Sequence, residues 1–398
     1  MTNVASDGSE ATALKDRHFC IVTSALGAGG AERVIAWLAT DWLEHGATVT
    51  IVSFDGPGDP IYHDFPAQAR LVRLGIQAPR GPRRIVPLPL RRVIALRKTL
   101  AALAPDAAIG FLTKINVLVL AATVGSRIPL IVCERNNPLR QPAHPLWKLA
   151  LRGLYGRATA IVCQTQASIA CIPERVRDRV TVIPNPVSPV GSARPGIRTP
   201  LRVAAVGRLE PQKGFDLLID AFADVAGRHP DWSLDLWGSG HREEALRLQV
   251  SQLGLADRVR LRGVSARPSS WIEEVDLFVL SSRYEGFPNV LGEAMAAGLP
   301  VIATDCDYGS ADLVDHDANG LLIPNEDPAA LATALDRMMG DHELRERLAS
   351  KAPDVAMRFA PERIAGIWRN LLRRVINPAS ADESAVGRPV LSMGEAGL

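Results

Sequence analysis

Leu277-Phe278-Val279-Leu280-Ser281-Ser282-Arg283-Tyr284-Glu285-Gly286-Phe287-Pro288-Asn289-Val290-Leu291-Gly292-Glu293-Ala294-Met295-Ala296-Ala297-Gly298 carries most of what this chain says about itself. Four apolar residues make a short buried strand, Gly286 and Pro288 interrupt it, and Asn289–Ala297 has the spacing of a helix stopped by Gly298. The first amides of such a helix have no intrahelical partner, so with the helix dipole they attract phosphate or sugar oxygens. Glu285 stands at the strand end and Glu293 about one turn into the helix, so two carboxylates flank an amide-rich loop. They can grip different hydroxyls of one ligand, or they can merely favour a helix N-terminus; the residue pair alone leaves both readings level.

The same strand–loop–helix unit recurs outward from this stretch. Arg202–Val206, Ser233–Trp237, Val259–Arg262 and Pro300–Ala303 read as strands, with helices over Phe215–Gly227 and Glu243–Leu253. Earlier, His18–Thr23, Ala47–Phe54, Asp106–Leu112, Leu130–Cys133, Ala160–Gln164 and Val180–Ile183 read as strands, with helices over Gly30–His45, Leu90–Leu103 and Leu146–Gly156. Repeated β-α-β units predict parallel, doubly wound sheets. Periodicity is lost from Pro184-Asn185-Pro186 to Pro200, which marks a linker between two such domains, and 398 residues suffice for two cores. The expected divisions are a disordered tail 1–16, a Rossmann-like domain 17–187, a linker 188–200, a second Rossmann-like domain 201–358, a C-terminal helix 359–375 and a disordered tail 376–398. Ligands of open parallel sheets bind beyond the C-terminal strand ends, so two facing sheets would hold two ligands in one groove.

Composition narrows the class. With 47% hydrophobic and 22% charged residues the chain is globular. The longest apolar run, Ile115–Val124, falls short of the roughly 20 residues that cross a bilayer. The first residues lack a basic-then-apolar export signal, and Cys20, Cys133, Cys163, Cys171 and Cys306 form no C-x-x-C pair, so reduced thiols and a cytoplasmic setting are expected. Residues 1–190 hold 22 Lys and Arg against 13 Asp and Glu, and the remainder 23 against 30, so the first half is suited to an anionic partner. Much of that surplus falls in 79–103, where Arg80, Arg83, Arg84, Arg91, Arg92, Arg97 and Lys98 accompany Leu90, Val93, Ile94, Leu96 and Leu100. This is an ordinary core-packing helix, an anionic-membrane contact in which Arg80, Arg83, Arg84, Arg91 and Arg92 face lipid at about 1 kcal/mol per cation, or both.

Two further loops carry chemistry. Gly207-Arg208-Leu209-Glu210-Pro211-Gln212-Lys213-Gly214 follows a strand, where Arg208 and Lys213 can reach a diphosphate or can be solvated surface charges. Gly27-Ala28-Gly29-Gly30-Ala31-Glu32-Arg33 is a glycine turn that admits a ligand close to the backbone. It departs from G-x-G-x-x-G because Glu32 replaces the last glycine, and it is no P-loop.

Together these segments resemble glycosyltransferase family four, the retaining group with the GT-B fold, over nearly the whole chain. The resemblance runs from Gly29-Gly30-Ala31-Glu32-Arg33 through Val182-Ile183-Pro184-Asn185-Pro186-Val187 and Gly207-Arg208-Leu209 to the E-x7-E motif at Glu285 and Glu293. It implies two Rossmann-like domains facing across a cleft, the first for the acceptor and the second for a nucleotide sugar. It places the donor sugar on Glu285, the ribose on Glu293 and the diphosphate on Arg208 and Lys213. Amides of Gly286, Phe287, Asn289, Val290 and Leu291 complete the donor pocket, Val264 lies near the base, and Gly29 and Gly30 close over the site. Many members carry a histidine after the strand corresponding to Leu130–Cys133. Here Glu134-Arg135-Asn136-Asn137-Pro138 stands instead, and Arg135 and Asn136 are the candidates for that place beside the leaving oxygen.

Departure of the sugar leaves negative charge on the diphosphate, which Arg208, Lys213 and helix amides would stabilise. The two cations stand in for a divalent metal, so neither metal nor cofactor is expected. The resemblance further implies retention with a phosphate oxygen taking the acceptor proton, Glu285 not acting as nucleophile. It also implies a bacterial surface-polysaccharide or lipid-linked-oligosaccharide branch. The expected partners are a UDP-linked hexose or N-acetylhexosamine donor, a polyprenyl-diphosphate-linked glycan and an anionic membrane face, with no nucleic acid. Two alternatives stand beside it: a nicotinamide-dependent oxidoreductase using Gly27–Gly30 and Asp55, and a catalytically inactive scaffold.

Overall fold

The computed structural model describes residues 14–77, 87–140, 149, 152–188 and 201–377. The first sheet comprises β1 (His18–Thr23), β2 (Thr48–Ser53), β3 (Arg70–Arg73), β4 (Ala107–Phe111), β5 (Leu130–Cys133), β6 (Ala160–Cys163) and β7 (Val180–Val182), all parallel. Its order is β3-β2-β1-β4-β5-β6-β7. The second comprises β8 (Leu201–Val206), β9 (Trp232–Trp237), β10 (Val259–Gly263), β11 (Leu277–Leu280), β12 (Val301–Asp305) and β13 (Leu321–Pro324), in the order β10-β9-β8-β11-β12-β13. Helices α1 (Gly30–Glu44), α2 (Leu88–Leu103), α3 (Thr113–Ala122), α4 (Phe215–Ala226), α5 (Glu243–Gln252) and α6 (Asn289–Ala296) link strands of the two sheets. After them come α7 (Ser310–Leu313), α8 (Pro328–Gly340), α9 (His342–Lys351), α10 (Asp354–Arg358) and α11 (Pro361–Ile376). The chain therefore has the GT-B arrangement of two doubly wound parallel sheets.

Strand order reverses between β1 and β4 in one sheet and between β8 and β11 in the other, and crevices open at such switch points. The loops after β1, β8 and β11 are the three glycine-bearing stretches, so the topology alone brings them to the cleft.

The last helix returns to the first domain. Ile364, Trp368, Leu371 and Leu372 of α11 are buried with Phe19 and Trp42, and Trp368 stacks on Phe111 with ring centroids 6.4 Å apart. Arg369 donates to Asp41 at 2.5 Å, closing the apolar contact with a buried ion pair. Leu14 is fully buried in the same core, inside the stretch expected to be a tail.

Three elements carried little sequence signal. β3 is a half-buried strand at the sheet edge with arginine at both ends. The run from Ile115 lies mostly in α3, which is buried nearly all round and so lacks amphipathic period. β13 lies at the other sheet edge.

Candidate active site

Two backbone fits set the donor wall. Gly214 sits at φ +62° where a Cβ would strike the Ser281 carbonyl, so only glycine lets the β8 loop close on the end of β11. Lys213 is thereby carried to Glu285: its Nζ lies 2.6 Å from Oε1, and the Ser282 hydroxyl donates to the same oxygen at 2.6 Å. The two side chains are only 15% and 8% exposed, so each charge would be costly to bury without the other. Glu285 stands in the loop, five residues past β11. Gln212, buried between them, donates to the Tyr284 carbonyl at 2.9 Å and accepts from exposed Arg208 at 3.5 Å.

Side chains of Phe287 and Leu291 are buried in the second core, so they can offer a ligand backbone only. The Leu291 amide donates to Pro288 at 3.0 Å, so it is not the open donor the sequence suggested.

The first domain supplies the facing wall. Arg33 pairs with Glu293 across the cleft, and Ser269 donates to the other oxygen of Glu293 at 2.8 Å. Asn289 donates to the Gly30 carbonyl at 3.3 Å while accepting from Asn185 at 2.7 Å. Asn136 donates to Gln212 at 3.4 Å, and a Cβ on Gly286 would run into the Arg135 carbonyl and the Gln164 side chain. Gly29 opens the same turn, where a Cβ would strike the Glu32 carboxyl. Burial pushes that carboxyl up while Arg208 across the cleft pulls it down. Val264 is 49% exposed on the loop after β10.

The model of "Glycosyltransferase Family 4" matches residues 28–190 and that of "Glycosyl transferases group 1" residues 193–355, so together they take in one domain each. The chain belongs to the family-four glycosyltransferases. It is 36% identical over 200 residues to an exopolysaccharide phosphotransferase of Streptomyces coelicolor, covering 50% of this chain and 21% of that protein. It is 32% identical over 232 residues to the lipopolysaccharide core biosynthesis glycosyltransferase LpsD of Rhizobium meliloti, covering 56% of this chain and 66% of that one. The chain thus spans from a fifth to two thirds of the length of these relatives. Among solved structures, Anabaena HepE in complex with UDP and glucose superposes with a TM-score of 0.73 at 22% identity, over 89% of this chain and 99% of that one.

Within this family-four chain several expected placements change. The Arg135 guanidinium does not enter the cleft: it is buried 4.5 Å over Phe111 and 5.6 Å over Trp368, held by Asn185 at 2.7 Å. The aromatic floor created by the returning helix draws it inward, which leaves Asn136 as the cleft-facing member of the pair. Arg92 is not lipid-facing either, since its guanidinium stacks on Phe54 at 4.9 Å and donates to Ile76 at 3.0 Å. Arg91 is half-buried, while Arg80, Arg83 and Arg84 lie outside the described residues. Asp55, required by a nicotinamide-binding reading, already accepts from Arg73 at 2.7 Å, the Leu26 amide at 3.2 Å and Ser53. Those bonds hold its carboxyl below the usual range despite burial. Arg33, Ser269, Gln212 and Asn185 enter the cleft without having been singled out. Asn185 was visible inside the Pro184-Asn185-Pro186 signature, and Arg33 one turn into the glycine-led helix.

Proposed function

We propose that the chain transfers a hexose or N-acetylhexosamine from a UDP-sugar, with retention, to a growing polyprenyl-diphosphate-linked bacterial surface glycan. The carrying observation is the row Arg208, Lys213–Glu285 and Glu293–Ser269 beyond the C-terminal ends of β8, β10 and β11, facing Gly30, Arg33 and Asn136. Polysaccharide and lipopolysaccharide enzymes among the relatives, and a UDP complex among structures of this fold, support the same reading.

Chemically, Lys213 and Arg208 oppose the charge that grows on a departing diphosphate, without a metal ion. The Lys213 ammonium is held against Glu285 until donor oxygens share it. Ser282 then keeps Glu285 aimed at sugar hydroxyls. A phosphate oxygen of the donor takes the acceptor proton, and Asn136 faces the reacting bond.

No helix among the described residues is long and apolar enough to cross a membrane. Helix α2 exposes Leu90 and Ile94, at 50% and 45%, one turn apart and followed one turn later by exposed Lys98. That face, with the arginines preceding it, suits peripheral binding to the anionic cytoplasmic side of the membrane. The test is incubation with UDP-, GDP- and ADP-sugars and a polyprenyl-diphosphate-linked glycan, with proton NMR of the new anomeric centre. The expected product keeps the donor's anomeric configuration; an inverted product or no transfer from any donor would overturn the proposal.

A further inference from the structure

Another contact crosses the cleft beyond Glu293. The Tyr62 hydroxyl donates to the Ser265 carbonyl at 3.1 Å and lies 3.5 Å from the Ser265 hydroxyl. Tyr62 sits between β2 and β3 and is fastened to its own domain. Its amide donates to Leu26 at 3.1 Å, His63 Nε2 donates to the Gly29 carbonyl at 2.9 Å, and the two rings meet edge to face at 5.0 Å. The segment is thus stitched to the same glycine turn that faces the donor wall.

Ser265 lies in the loop that runs from Val264 to Ser269, and Ser269 holds Glu293. Were a diphosphate held at Lys213 and a ribose at Glu293, a nucleobase would extend toward the start of this loop, where Val264 is exposed. We infer that Tyr62 is a positioning residue lent by the acceptor-side domain, closing the base end of the donor site and tightening nucleotide binding through the base. This rests on the nucleotide-sugar reading of the cleft. Because Tyr62 grips the Ser265 backbone, its contribution requires a base to cover but no particular base edge.

The experiment is calorimetric titration of UDP, with phosphorus NMR titration of pyrophosphate, into the full chain and its Tyr62→Ala and Tyr62→Phe variants. Tyr62→Ala is expected to weaken UDP about tenfold, and Tyr62→Phe, which keeps the ring, about threefold, the range for one hydrogen bond with its packing. Pyrophosphate affinity and melting temperature should stay at wild-type values. Unchanged UDP affinity in Tyr62→Ala, or equal losses for UDP and pyrophosphate, would overturn the inference. A wild-type chain that binds no nucleoside diphosphate would instead remove the underlying reading, and this inference with it.

Discussion

Glu134 gives a prediction whose size can be worked out from its surroundings. It follows β5 with its carboxyl buried among Thr113 Oγ1 at 2.5 Å, Asn116 Nδ2 at 3.0 Å and the Tyr155 hydroxyl. Burial pushes the carboxyl from 4.5 up to about 7, against the pull of Thr113 and Asn116. A carboxyl whose folded pKa exceeds its unfolded one holds its proton more tightly when folded. Its contribution is therefore fully present below about pH 4.5 and is lost as pH rises through about 7. The rise from 4.5 to about 7, at about 1.36 kcal/mol per pH unit, makes the loss about 3 kcal/mol. Glu134→Gln keeps the shape and cannot ionise: its carbonyl can accept from Asn116 and Tyr155 while its amide donates to Thr113. Urea unfolding of both proteins at pH 4.5, 6 and 8, followed by circular dichroism, measures the difference. The variant should gain about 3 kcal/mol on the wild type between pH 4.5 and 8. A difference that does not change with pH would show that burial does not raise the Glu134 pKa in the folded protein.

Trp368→Ala should cost about 3–5 kcal/mol, since a fully buried ring is removed from the first core, and calorimetric melting checks it. Arg208→Ala and Lys213→Ala should each lower kcat about 100-fold, measured as donor turnover, with little effect of EDTA. Replacing Arg80, Arg83, Arg84 and Arg91 with glutamine should abolish salt-sensitive flotation with anionic vesicles and leave donor hydrolysis intact, since exposed charges are screened over about 8 Å at physiological salt.

Both sheets and the loops after β1, β8 and β11 were legible in the sequence because buried parallel strands read as apolar runs and glycine marks where the chain turns. What local sequence does not carry is what meets across the cleft. Arg33 finding Glu293, and Tyr62 finding Ser265, join residues more than 200 positions apart. Arg135 was misplaced for the same reason: nothing near it in sequence announces that α11 returns to lay Trp368 beside Phe111. Nothing near Arg92 in sequence separates it from the neighbouring cations; its partners, Phe54 and the Ile76 carbonyl, come from the segments that follow β2 and β3.

Calorimetric titration of UDP into the wild type and Glu293→Ala tests whether Glu293 holds the ribose of a nucleotide in this cleft. Glu293 lies on α6 at the cleft with Arg33 and Ser269 as partners, so its loss should spare the core. UDP should bind the wild type and bind the still-folded variant at least about tenfold more weakly, the loss expected for a carboxylate–hydroxyl contact. Equal affinities in two folded proteins would show that Glu293 does not hold the ribose.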